Sequence, residues 1–279
     1  MDANVELEWT RLGPGKVLVA TAERAFLHTP GGAGETTAFS LPMHGPGSLA
    51  TTRNLLDGAV GAGQRAVPRA EAPPPLTQAR WALRLAGYYC TTHATPGLMA
   101  EAAVRFAAAG EASLARWAEQ KTRDERGHDQ LALRDLRALG YDAERVVEAL
   151  VPPTAAGLCR YFTEAVRGEE PVRCVGYAYA LERLALGQTE AYVRRVEAML
   201  PRGVYATRCL RVHSAVGTDA RHVEETIAVV AGLPAEERAQ IALACYETTV
   251  LCYGPNSGNP IAEDALESAL ATLMTPKAG

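Results

Sequence analysis

Two short stretches of this chain place a carboxylate three residues ahead of a histidine: Glu125 and His128 in Asp124-Glu125-Arg126-Gly127-His128-Asp129, and Asp219 and His222 in Asp219-Ala220-Arg221-His222. Residues i and i+3 share one face of a helix, so each pair can close on one ion. A third group, Glu182, lies in Tyr177-Ala178-Tyr179-Ala180-Leu181-Glu182-Arg183, with Ala178, Tyr179, Ala185 and Leu186 at helical spacing around it. A carboxylate on so apolar a stripe needs a cation, either a basic side chain or a metal. Each motif alone is unspecific, because most charge-rich helical runs are solvated faces. Together, two imidazoles and three carboxylates on three helices form the kind of donor set with which helical bundles hold two iron or manganese ions. Mixed oxygen and nitrogen donors without cysteine suit iron better than zinc. The competing reading satisfies the same carboxylates with arginine or water, and Arg126, Arg183 and Arg221 stand beside them in sequence.

The other histidines have weaker claims. His93 ends Tyr88-Tyr89-Cys90-Thr91-Thr92-His93, and no Asp or Glu occurs between Leu76 and Ala100, so His93 is the donor candidate of that helix. His213 precedes Asp219 by six residues and His222 by nine, about 120° and about 180° round a continuous helix, and is expected to face elsewhere. His28 and His44 read as surface or packing residues. Tyr177, Tyr179 and Tyr88 or Tyr89 are candidate walls of a substrate pocket, although aromatics at helical spacing are commonly core. Other chemistries lack their motifs: there is no GxGxxG or GxxxxGK[ST] to cradle a phosphate and no GxSxG nucleophile elbow.

The elements that must position these groups are helices. From Leu76 onward the composition turns to Ala, Leu, Arg and Glu with helical period, which predicts helices over Leu76–Thr92, Pro96–Leu139, Asp142–Leu150, Thr154–Arg167, Pro171–Leu200, Val204–Ala231 and Pro234–Tyr253. Before them, Gly and Pro clusters surround two β-like runs, Lys16–Ala20 and Ala25–His28, and Asn54-Leu55-Leu56-Asp57-Gly58 reads as the end of a short helix. Ala72-Pro73-Pro74-Pro75 reads as a linker. The expected organisation is a small mixed α/β appendage over 1–70, an all-α bundle over 76–255, and a tail over 256–279 with a short helix. At 279 residues, with 48% hydrophobic and 22% charged residues, the chain can bury a sizeable core. A net charge of −4 and the absence of a basic block interleaved with aromatics argue against nucleic acid. No uncharged apolar run approaches the roughly 18 residues of a membrane span, and no signal-peptide pattern opens the chain, so a cytoplasmic protein is expected. Six cysteines without CxxC pairing read as buried reduced thiols.

The stretch Glu125-Arg-Gly-His128-Asp, running into Leu133-Arg-Asp135-Leu136-Arg-Ala-Leu139-Gly140, resembles the EExGHxxWxxxDLxxLG segment of heme-oxygenase-like iron-containing redox enzymes. Tyr179-Ala-Leu-Glu182 and Asp219-Ala-Arg-His222-Val-Glu resemble that family's later metal helices. The resemblance covers about residues 76–255. It implies a seven-helix heme-oxygenase-like bundle without haem, akin to thiaminase-II-type and quinone-cofactor-synthase proteins, with metal ligands Glu125, His128, Glu182, Asp219 and His222 and dioxygen as co-substrate. The implied substrate is a small molecule of natural-product biosynthesis, an amine, amino acid or fatty acid, undergoing N-oxygenation, oxidative C–C cleavage or desaturation; a homodimer is expected. The pattern departs from the family's in three places. The earliest helix supplies only His93 instead of a carboxylate, Ala215 stands where a histidine is common, and Lys121 stands where some members have a glutamate. These departures imply a weakened metal position or a single ion. Val17-Leu18-Val19-Ala20, Ala25-Phe26-Leu27-His28 and the Leu55-to-Gly58 stretch are faintly similar to small domains that bind peptide leaders, which would make the substrate a peptide.

Overall fold

The computed structural model of the chain describes residues 6–29, 39, 45, 47–68, 74–214, 219–254 and 261–275. His44, Ala215 and the first half of the expected linker, Ala72 and Pro73, lie outside the described residues. Three antiparallel strands, β1 (Glu8–Gly13), β2 (Lys16–Ala20) and β3 (Ala25–His28), form one sheet in that order. β2 and β3 coincide with the two β-like runs. β1 hides from a hydrophobicity pattern because its buried face is Glu8, Thr10 and Leu12, two of the three polar. Thr10 donates its hydroxyl to the Ala239 carbonyl, and Glu8 meets the Arg238 guanidinium at 3.0 Å.

The helices follow as α1 (Leu49–Ala66), α2 (Gln78–Ala108), α3 (Ala112–Asp124), α4 (His128–Ala138), α5 (Ala143–Ala149), α6 (Pro153–Arg167), α7 (Arg173–Ala185), α8 (Glu190–Met199), α9 (Arg208–Val212), α10 (Asp219–Ala231), α11 (Ala235–Tyr253) and α12 (Glu263–Ala271). None among the described residues is long and apolar enough to cross a membrane. Several expected boundaries move. Gly58 lies inside α1 rather than at its end, and a Cβ there would stand 2.6 Å from the Ala25 methyl; the glycine lets the sheet approach the helix. α2 runs through Pro96, with Thr91, Thr92 and Thr95 returning hydroxyl bonds to carbonyls one turn back. The long expected helices break at Gly110 (φ +80°), at Gly127 (φ +87°), between α7 and α8, and after His213.

Two apolar clusters organise these elements. One gathers β1, β2, α1, the C-terminal half of α2, α3, α6, α7, α10 and α11. The other gathers the N-terminal half of α2 with α4, α5, α8, α9 and α12. α7 is buried on nearly all sides, from Cys174 through Ala180. Gly176 makes this packing feasible, because a Cβ there would lie 2.2 Å from the Ile241 carbonyl oxygen of α11. At the C-terminus, Leu266, Leu270 and Leu273 enter the second cluster, and Asp142 donates its amide to the Leu273 carbonyl at 2.8 Å. The six cysteines are free; Cys174, Cys209 and Cys245 are buried, while Cys90 and Cys159 are half-buried with sulfurs 3.3 Å apart.

The Glu8–Arg238 pair is wholly buried and ties the sheet to α11, with Arg238 also donating to the Leu233 and Gly45 carbonyls. Burial pushes the Glu8 carboxyl above its ordinary range despite the hydrogen bond and charge of Arg238. Arg238→Ala strands that carboxylate and is expected to cost about 3–5 kcal/mol in denaturant unfolding, whereas replacing both partners with methionine recovers most of the loss. Equal destabilisation by the single and double replacements would contradict this account.

Candidate metal centre

The last turn of α3 ends at Glu125, whose amide bonds back to the Lys121 carbonyl at 3.0 Å. Gly127 then takes a left-handed conformation and α4 begins at His128. Glu125 and His128 therefore meet across a tight turn between two helices rather than along one helix face, with His128 Nδ1 2.9 Å from Glu125 Oε2. α7 brings Glu182, 8% exposed, to the same place, and α10 brings Asp219 and His222, each 1% exposed.

His213 joins them, contrary to the expectation from helical arithmetic. α9 stops at Val212, so the angle computed along a continuous helix does not apply. Asp135 of α4 accepts the Cys209 amide and an Arg208 guanidinium N–H, both at 3.0 Å, and so pins the start of α9 against α4. One turn later the His213 ring lies edge-on to His128, centroids 4.8 Å apart, with Nδ1 3.5 Å from Asp219 Oδ1. Ser214, Gly217 and Thr218 are the sequence signals that could have marked this break.

The donors form two triads that share Glu125. Ligand atoms of Glu125, His128 and His213 lie within 4.8 Å of one another, and so do those of Glu125, Glu182 and His222. His222 turns Nδ1 toward Glu182 Oε1 at 3.6 Å, while its Nε2 faces Asp124 at 3.3 Å and Arg221 at 3.2 Å. Lys121, 3% exposed, points its ammonium onto Glu182 Oε1. The cation called for by the Glu182 stripe is thus partly supplied by a lysine of α3, where sequence adjacency had drawn attention to arginines.

Glu182 Oε2, both Asp219 oxygens, His213 Nε2 and His222 Nδ1 are buried without a hydrogen-bond partner among the described residues. Buried polar atoms left unbonded are costly, and this many on one locus fits a missing cation. Burial pushes the Glu182 carboxyl up to about 7, with Lys121 opposing and Asp219 and Glu125 reinforcing. Burial also works to raise Glu125, but the His128 hydrogen bond and the fields of His213, His128 and Lys121 hold it below its ordinary value. His213 resists charging by burial, yet the Asp219, Glu125 and Glu182 carboxylates raise it. His222 is lowered by burial and by Lys121.

His93 belongs to neither triad: its side chain is 61% exposed and bonded to Asp129 at 2.8 Å, with Tyr89 stacked on it at 5.0 Å. Tyr179 is buried and donates its hydroxyl to Asp57 of α1 at 2.8 Å, where Arg183 also binds at 2.7 Å. Tyr177 stacks on Phe162 at 4.3 Å.

A mostly helical chain with a carboxylate and histidine centre in its bundle defines the class, and two solved structures share the fold. One is a domain of unknown function with a heme-oxygenase-like fold from Shewanella denitrificans OS217, 17% identical, covering 79% of this chain and 90% of that one with a TM-score of 0.55. The other is a TenA homolog from Pseudomonas syringae pv. tomato DC3000, 16% identical, covering 76% and 97% with a TM-score of 0.53. Residues 83–254 match the family described as iron-containing redox enzyme, and the chain belongs to that family. A comparison with curated proteins finds no match.

A Cβ at Gly127 meets nothing, so its substitution is purely conformational. Gly127→Ala should lower stability by about 1–2 kcal/mol and weaken iron binding at least tenfold by displacing Glu125 from His128; unchanged affinity would mean that the turn does not set the site. The raised Glu182 carboxyl binds its proton more tightly folded than unfolded. The stabilising difference is full below about pH 4.5 and is lost as pH rises through about 7. Metal-free protein should therefore lose stability relative to Glu182→Gln over that window, and parallel pH profiles in thermal unfolding would refute it.

Proposed function

We propose that this chain is a non-haem iron oxidase or oxygenase that uses dioxygen to oxidise a small organic molecule, an amine, amino acid or fatty acid, in natural-product biosynthesis. The observation that carries this reading is the convergence of oxygen and nitrogen donors from α3, α4, α7, α10 and the end of α9, with atoms of Glu182, Asp219, His213 and His222 buried and unbonded among the described residues, in a chain of an iron-containing redox family. Glu125, His128, His213 and Asp219 would hold iron on one side of the centre, with Glu182 and His222 facing them across Glu125. Bound iron supplies one-electron redox chemistry and open coordination positions for small ligands. The protein's own contribution is geometric and electrostatic. Asp124 and Arg221 fix the His222 ring by its outward nitrogen, Asp135 fixes the approach of His213, and the carboxylates balance a cation in a setting of low polarity. Leu114, Trp117 and Ala118 of α3 and Val223 and Ile227 of α10, the helices that carry Glu125, Asp219 and His222, are buried in the first apolar cluster and would limit the access of bulk water.

A second reading, a metal-free member of the fold, is favoured by one contact: the Lys121 ammonium already satisfies one oxygen of Glu182. Anaerobic loading with ferrous iron, followed by elemental analysis and oxygen-consumption assays over amines, amino acids and fatty acids, separates the two. The iron reading predicts retained iron that drops at least tenfold in affinity in Asp219→Ala and His128→Ala, with substrate-dependent oxygen uptake lost in parallel. Iron retention no greater in the parent than in those variants would favour the metal-free reading.

A further inference from the structure

The two triads are not equivalent, because one contains a cation. Lys121 lies in the last turn of α3, four residues before Glu125, and is as buried as the apolar residues around it. Its ammonium rests on Glu182 Oε1, the same oxygen that faces His222 Nδ1 at 3.6 Å. A metal shared by Glu182 and His222 would need that oxygen and the space beside it. Among the described residues Glu125, His128 and His213 form ion pairs with one another and with Asp219 but with no lysine or arginine.

Formal charge points the same way. Glu125, Glu182 and Asp219 are the buried carboxylates of the centre, and Lys121 is its buried ammonium. Asp124 and Arg221 lie at its edge, 3.6 Å apart, and Arg221 also pairs with Glu225 at 2.7 Å, so these peripheral charges are left out of the interior sum. The interior therefore carries a formal charge of −2, which one divalent ion neutralises, while a second would leave an uncompensated double positive charge in a site of low polarity. Resting on the iron reading above, we propose that Lys121 stands in for the second metal: the chain holds a single iron, bound by Glu125, His128, His213 and Asp219, and keeps Glu182 and His222 in reserve behind an ion pair. Lys121 is then a specificity-determining residue for metal number, and the centre is mononuclear where the ligand pattern alone suggested two ions.

The test is metal stoichiometry in the full chain. Metal-free protein is titrated anaerobically with ferrous iron, desalted and analysed for iron, and the oxidised form is examined by electron paramagnetic resonance. The expected result is one iron per chain with the spectrum of an isolated ferric ion. Lys121→Glu, which exchanges the ammonium for a carboxylate, should take up two ions that couple magnetically. Two coupled ions in the parent would overturn the proposal while leaving the iron reading intact, and a single ion in a folded Lys121→Glu variant would overturn it as well. Parent protein that retains no iron, with Asp219→Ala indistinguishable from it, would overturn the iron reading itself and the proposal with it. Should Lys121→Glu fail to fold, the parent's stoichiometry and spectrum decide.

Discussion

Carboxylates crowded into a protein interior repel one another and forfeit hydration, so their burial must be balanced by cations or by protons. Glu125, Glu182 and Asp219 impose this constraint here. Lys121 answers part of it, and burial answers another part by favouring the protonated form of Glu182. What is left over is a set of oxygens and nitrogens without a hydrogen-bond partner among the described residues, a set that a further cation would satisfy. The family to which the chain belongs gives that cation a chemical identity, and the lysine sets a limit on how much of it the centre can accept.

The centre's position explains why so many elements are needed to build it. Glu125, Glu182, Asp219 and His222 sit on helices of one apolar cluster, whereas His128 and His213 sit on α4 and α9 of the other. The donors therefore meet at the seam between two packed bodies, and an ion held there would join them. Supports outside the donor set matter for the same reason. Asp135, Asp124 and Arg221 touch no shared ligand atom of the triads, yet each fixes the approach of a donor histidine.

Much of the architecture was legible in the residues. The helical period after Leu76, two of the strands and the general fold all follow from composition and pattern. Glu125, His128, Glu182 and His222 were identifiable by type and spacing and do come together. The misreadings share a physical cause, since periodicity shows that a segment is helical but not that the helix is unbroken. A glycine at Gly127 interrupts α3–α4, so the correct pairing of Glu125 with His128 arises from a turn. The end of α9 redirects His213 into the centre, where a continuous helix would have turned it away. β1 escaped notice because its inward face is built from Glu8 and Thr10, whose polar groups find partners only in α11. Lys121 was visible as an oddity, but its contact with Glu182 is tertiary and has no local signal.

α2 enters both apolar clusters, with Ala79 to Ala86 in one and Leu98 to Phe106 in the other, and Pro96 lies between. A proline inside a helix cannot donate to the carbonyl four residues earlier, so the rod lacks one rung at its midpoint. Bending is least resisted at such a point. α2, a rod common to both bodies, is thus weakest between its two buried halves, and any breathing that admits a guest molecule between them would flex there first.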